Sequence, residues 1–187
     1  MIYIIITTSI YNNCSIRKNQ YIKGINKLIN VIQHLNFKNY KIIIVENNGN
    51  RDTFLNMLDC EVYYTENNFI QMRNKGIKEL QDILDCIDKY NINDTDFIVK
   101  MTGRYILDDN SEFMNIIKNI HNTKYDCVTG LIWMSCLYVK QIEKPNKNEC
   151  VEWKWGKVTN LINDKKIYIV NTLGINICPG SNKYFKI

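Results

Sequence analysis

The sequence contains no alanine, two prolines, two histidines and eight glycines in 187 residues. Each shortage excludes something. His34 and His121 are the only histidines, and the seven cysteines (14, 60, 86, 127, 136, 150 and 178) are never spaced as C-x-x-C, so no zinc constellation can be drawn. Neither histidine lies just after a predicted strand, which disfavours a Ser or Cys nucleophile paired with His. Both are read as helix residues, with capping as the expected role. No G-x-G-x-x-G follows a strand and no G-x-x-x-x-G-K-[ST] occurs, so a Gly-rich phosphate loop is absent. Phosphates, if bound, have to be held by side chains and isolated amides.

Long apolar runs are missing too. None reaches transmembrane length, and MIYIIITTSI (1–10) has no basic region ahead of it, so it reads as a strand rather than a signal peptide. Scattered thiols, odd in number, point to reduced and mostly buried cysteines in a reducing compartment; the expectation is a soluble, cytoplasmic protein. The N-x-[ST] matches at Asn13 and Asn93 are what an Asn-rich chain produces by chance.

What is abundant is isoleucine (31), asparagine (27) and lysine (20), the signature of an AT-rich coding sequence. Asn-rich loops and Lys-rich faces therefore carry less information here than usual. The net charge of +5 is spread along the chain, and the densest basic stretch, 140–166, holds seven lysines against four acids. That is a solvated face rather than a nucleic-acid footprint, and no nucleic-acid partner is expected. A modest positive field does suit a small anionic ligand.

Apolar runs at 2–10, 41–50, 61–67, 96–101 and 125–134 read as strands. They alternate with helical spacings: Ile22, Ile25, Ile29, Ile32 and Leu35; a short helix at 52–58; residues 69–90; and 111–120. Continuous β-branched strands separated by amphipathic helices predict an α/β fold with a central, mostly parallel sheet covered on both faces. After residue 134 the pattern loosens into an expected strand at 137–144, a loop at 145–149, a helix bearing Val151, Trp155, Val158 and Ile162, and a late strand at 166–171. No linker or repeat is visible, so one domain over 1–187 is expected.

In such sheets ligands bind beyond the carboxyl ends of the strands, near the switch in strand order. The candidates are therefore Thr7, Thr8 and Ser9 after the first strand, Glu46, Asn47 and Asn48 after the second, and Thr102, Gly103 and Arg104 after the fourth. Lys100 lies inside that fourth strand, as a ligand contact or a packed stem.

The segment RNKGIKEL (73–80), following the third strand and opening a helix, resembles the A-R-N-x-G-x-x-x-A segment of the GT-A glycosyltransferases, family 2 in particular. IIIVENN likewise stands where that family has a strand ending I-V-D-N-G-S. The resemblance covers about residues 2–110 and implies a GT-A-like fold. Its nucleotide-sugar part would be about 1–110 and its acceptor part about 111–187. It implies transfer of a sugar from a nucleotide-diphosphate donor to a hydroxyl of a glycan or other acceptor. Thr7, Thr8, Ser9, Glu46, Asn47, Arg73, Asn74, Gly76, Lys100, Thr102 and Gly103 would form the donor site.

The family ends its fourth strand with D-x-D, which holds Mn²⁺ or Mg²⁺. Here FIVKMTGRY (97–105) puts Thr102-Gly103-Arg104 in that place, and K-x-x-G-R-Y is similar to a variant in viral and bacterial glycan gene clusters. With a viral source the location would be the host cytoplasm. A diphosphate leaving group can be stabilised by a guanidinium in place of a cation. Arg104 is thus the expected diphosphate ligand, assisted by Arg73, with no metal assigned. Asp108 and Asp109 are the carboxylates that would serve if a metal were used, and the structural rival is that one of them pairs with Arg104. The literal D-x-D, Asp94-Thr95-Asp96, precedes the strand and is read as a turn.

Inverting members of the family take a proton from the acceptor with a carboxylate near the start of a late helix. NECVEWKWGKV (148–158) opens such a helix. Glu152, bordering the apolar stripe, is the expected base, with Glu149 as rival and Trp153 as a surface for an acceptor sugar. The alternatives are an inactive nucleotide- or sugar-binding module of the same fold, or a nucleotidyltransferase. Against the latter stands the lack of a Gly-rich, Arg-containing loop after the first strand.

Overall fold

The computed structural model describes residues 1–11, 14–34, 38–71, 74–118, 132–165, 170–178 and 183–187. Arg73, Asn13, Leu35, His121 and Cys127 lie outside the described residues, as do most of the expected strands at 125–134 and 166–171.

Three Ile- and Val-rich segments and one Tyr-bearing segment become parallel strands: β1 (Ile2–Thr8), β2 (Tyr40–Glu46) and β4 (Phe97–Thr102), with β3 (Glu61–Tyr64) at the edge. A fifth, β6 (Ile132–Ser135), adds antiparallel to β4 and gives the order β3-β2-β1-β4-β6. The chain leaves β1 toward β2 and β3, then crosses back to place β4 on the other flank of β1. The switch in strand order therefore lies between β1 and β4, the place beyond whose carboxyl ends such sheets bind ligands.

Because side chains alternate across a strand, each central strand feeds two cores. Ile4 and Ile6 of β1 pack with Val99 and Met101 of β4 under α1 (Ser15–His34), whose Ile25, Leu28, Val31 and Ile32 are buried. Ile5, Ile43 and Ile98 face the other way, against α2 (Lys75–Lys89) and α5 (Val151–Leu161), where Leu80, Ile83, Trp155 and Val158 are buried. The expected mostly parallel sheet with helices on both faces is observed.

Beyond β4 a second, antiparallel sheet of order β5-β7-β8 joins Ile106–Leu107, Ile175–Ile177 and Phe185–Lys186. Helix α3 (Glu112–Ile117) packs Phe113 edge-on against Trp133 at 5.0 Å. The expected strand at 137–144 is instead a short helix, α4 (Cys136–Val139), followed by a loop. The buried residues of the helix and the loop after it, Cys136, Val139 and Ile142, recur every third position. The amides of Cys136 and Leu137 donate to the carbonyls of Asp96 and Asp94, which turns the chain away from the sheet. Among the described residues no helix is long and apolar enough to cross a membrane.

Candidate functional site

The carboxyl ends of β1, β2 and β4 are stitched together past the last ladder pairs. Gly103 N–H donates to the Thr7 carbonyl at 3.0 Å, Asn47 to Thr8 at 3.4 Å and Thr65 to Glu46 at 2.9 Å. The three groups of candidates thus share one edge of the sheet.

Their side chains are used unequally. Glu46 is fully buried and accepts from Thr8 Oγ1 at 2.7 Å, Asn48 Nδ2 at 2.7 Å, the Ile10 amide at 3.1 Å and Arg51 at 3.1 Å. It fixes the loop leaving β1 and is saturated by the protein itself. Thr7 donates to Glu79 at 2.9 Å, and Glu79 pairs with Lys100 at 2.5 Å. Lys100 is fully buried; its ammonium lies 5.3 Å from the Trp155 ring centre and 3.4 Å from Thr102 Oγ1. It is therefore a charged stem inside the α2–α5 face, with Thr7 and Thr102 above it.

A second carboxylate, Asp82 of α2, is also fully buried and accepts from Thr65 (2.7 Å), Asn67 (2.8 Å) and Asn47 (2.9 Å). Burial pushes its carboxyl up to about 6 against these three donors. Asn47 thus braces β2 to α2, and Ser9 Oγ accepts from Asn48 at 3.2 Å.

The RNKG segment performs two structural tasks that are visible in α2. Asn74 is its N-cap, with Oδ1 accepting from Gly76 N–H at 2.9 Å. Its amide nitrogen reaches the Asn146 and Glu149 carbonyls at 2.8 and 2.9 Å. Gly76 lets α5 come close, since a β-carbon there would lie 2.8 Å from Val151 Cβ. Together they dock the start of α5, which carries Glu152.

Glu152 is half-buried and accepts from the Cys150 thiol. Its rival Glu149 is occupied by Lys154 at 3.1 Å and by the Asn146 amide at 2.7 Å. Tyr105, one residue past Arg104, is buried in the core under α1. Burial drives its phenol well above its ordinary value, and the nearby carboxylates Glu79 and Glu152 add to the shift. Trp153 is 65% exposed and open to solvent.

Arg104 meets neutral groups. Its Nη1 lies 3.5 Å from Gln20 Oε1 and 3.7 Å from the Cys178 sulfur, and its guanidinium carbon lies 6.0 Å from the Tyr21 ring. The rival pairing with Asp108 or Asp109 does not form. Asp108 is held by Lys186 at 2.7 Å and Asn176 at 3.0 Å, and Asp109 by Lys27. The Lys186 hydrogen bond keeps the Asp108 carboxyl below its ordinary value.

The end of β4 presents a hydroxyl, a glycine and a guanidinium, and the acids that follow it, Asp108 and Asp109, are each held by a lysine. Among the described residues no group of three or more His, Cys, Asp or Glu side chains is placed to hold a metal. Asp94 and Asp96 lie in the turn before β4, tied to Lys140 at 2.6 Å and to the Asn93 amide at 3.1 Å. His34 closes α1, its Nδ1 2.7 Å from the Asn30 carbonyl.

A cavity of about 340 Å³ lies at this edge between Ile10, Lys18, Thr53, Phe54 and Met57. A larger one, about 920 Å³, is walled by Lys27, Asp108, Asp109, Asn171, Thr172 and Lys186, and among the strand-end candidates of β1, β2 and β4 it has none. We place the site at the strand ends because the switch point and the unpaired guanidinium coincide there.

Sequence reasoning missed Glu79, Asp82, Arg51 and the α1 residues Gln20, Tyr21 and Gly24. Only Gly24, a glycine in the middle of a 20-residue helix, left a signal. No model of a known protein family matches the chain, and a search of curated proteins returns no match.

Proposed function

We propose that the crevice between β1 and β4 binds the diphosphate of a nucleotide sugar and that the chain transfers the sugar to a hydroxyl acceptor. The observation that carries this is Arg104: a guanidinium at the switch point of a mostly parallel sheet, touching only neutral partners among the described residues. Its planar fork matches phosphate oxygens. The resemblance of residues 73–80 and the docking of α5 onto Asn74 and Gly76 support the same reading.

In the reaction the acceptor oxygen forms a bond to the anomeric carbon while the bond from that carbon to the diphosphate oxygen breaks. The electron pair leaves with the diphosphate, where Arg104 offsets the developing charge. The acceptor proton passes to Glu152, half-buried at the start of α5. Thr7, Thr8 and Glu46 contribute by fixing the crevice wall through their own hydrogen bonds, and Lys100 by holding Glu79 beneath it.

The test is release of nucleoside diphosphate from a panel of UDP-, GDP- and CDP-sugars, each with glycan acceptors. Wild type should turn over one of them. Arg104→Ala should abolish that turnover, and Glu152→Gln should lower it by roughly 10²–10⁴-fold, the usual worth of a general base. Turnover unchanged in Arg104→Ala contradicts the proposal.

A further inference from the structure

The buried face of α1 is stacked on the segment that follows β4. A β-carbon at Gly24 would lie 2.4 Å from the Gly103 carbonyl oxygen and 2.8 Å from that of Tyr105. One turn nearer the start of α1, Gln20 and Tyr21 meet Arg104. One turn earlier still on that face comes Arg17. Its guanidinium packs over the Tyr11 ring at 5.1 Å, and Tyr11 belongs to the loop leaving β1. In the same loop the Ser9 amide donates to the Tyr21 hydroxyl at 3.0 Å. Arg17 thus stands against Tyr11 and Arg104 beside Tyr21, and the Ser9 amide ties the loop that carries Tyr11 to the Tyr21 hydroxyl. Burial pushes the Tyr21 phenol above its ordinary value, and both Arg17 and Arg104 draw it back down.

Two like charges on neighbouring packed segments repel each other. Lys27, Lys41, Arg51, Lys100, Lys154 and Lys186 are each offset by a carboxylate. Arg17 and Arg104 have no such partner among the described residues, and the Nε of each is buried without a hydrogen-bond partner. A multiply charged anion with several acceptor oxygens would satisfy both.

We propose that Arg17 and Arg104 form a two-guanidinium anion seat on either side of Tyr21, and that its ligand is the diphosphate of a nucleotide. The identity of the nucleotide rests on the sugar-transfer reading; the anion seat does not. Arg17 is the new assignment, a binding residue that reaches the crevice from α1.

The experiment titrates the full chain with inorganic phosphate, inorganic pyrophosphate, UDP, GDP and the corresponding nucleosides in EDTA, for wild type, Arg17→Gln, Arg17→Lys and Arg104→Gln. Pyrophosphate should bind wild type saturably and more tightly than phosphate. Arg17→Gln and Arg104→Gln should each weaken it at least tenfold, while Arg17→Lys, which keeps the charge, recovers part of the loss.

No saturable pyrophosphate binding to wild type overturns the seat, as does Arg17→Gln binding like wild type. A loss that tracks a lowered melting temperature of the unliganded variant, and is shared by Arg17→Lys, also overturns it. The two proposals separate cleanly. Arg17-dependent pyrophosphate binding with no tighter nucleoside diphosphate upholds the seat and removes sugar transfer. A nucleoside diphosphate that binds wild type and Arg17→Gln alike removes the seat and leaves sugar transfer standing.

Discussion

Glu46 and Asp82 are both carboxylates with no exposure to solvent, and the protein treats them differently. Glu46 receives a guanidinium as well as neutral donors, whereas Asp82 receives only a hydroxyl and two amides. Without a cation, burial wins and Asp82 titrates at about 6 instead of 3.8. Its native form holds the proton more tightly than the unfolded chain does. The stability this provides is complete below pH 3.8 and is lost as pH rises through about 6. The full change is about 3 kcal/mol. Urea unfolding between pH 4 and 7 should show this decline in wild type and a flatter profile in Asp82→Asn; parallel profiles would count against it. The Lys100–Glu79 pair gives a second residue-level prediction. The Glu79 side chain is 25% exposed and can be hydrated alone, but the Lys100 ammonium cannot. Glu79→Gln should therefore destabilise more than Lys100→Met, since the buried ammonium loses its carboxylate while the partly exposed carboxylate can take up water. Equal losses in chemical denaturation would contradict that asymmetry.

At the scale of elements, helix α1 is positioned by a missing side chain. Gly24→Ala would drive a methyl into two backbone carbonyls, which cannot swing aside as a flexible side chain would. The expected cost is about 1–3 kcal/mol, at about 2–4 °C per kcal/mol. Displacing α1 also moves Gln20, Tyr21 and Arg17 away from Arg104, so pyrophosphate affinity should fall with stability. A melting curve within 1 °C of wild type, taken as about the resolution of the method, would refute the close contact. The same scale shows what was legible in the sequence. β1, β2 and β4 announce themselves as isoleucine and valine runs because a strand buried on both faces has no polar side. Helix α4 was hidden because Leu137, Tyr138 and Val139 are contiguous, and apolar neighbours read equally as strand. The decisive spacing began one residue earlier, at Cys136.

For the whole molecule, the order β3-β2-β1-β4-β6 is what brings distant segments to one crevice. Arg104 could be picked out as a candidate because a parallel strand's end is a privileged position whatever the sheet order. Arg17 was not: a basic residue early in an amphipathic helix reads as solvated until the packing of Gly24 on β4 is known. Glu79 and Asp82 were obscured in the same way, lying on α2 among its apolar stripe. The account stands on the claim that this crevice holds a nucleotide diphosphate through Arg104. The measurement that tests it most directly is the melting temperature with UDP, GDP, CDP and their sugar conjugates, in EDTA and in Mn²⁺, for wild type and Arg104→Ala. At 100 times its dissociation constant, one of these should add about 2.7 kcal/mol to wild type. The account predicts that this shift persists in EDTA and vanishes in Arg104→Ala. A shift that requires Mn²⁺ and survives Arg104→Ala, or no shift with any nucleotide, would contradict it.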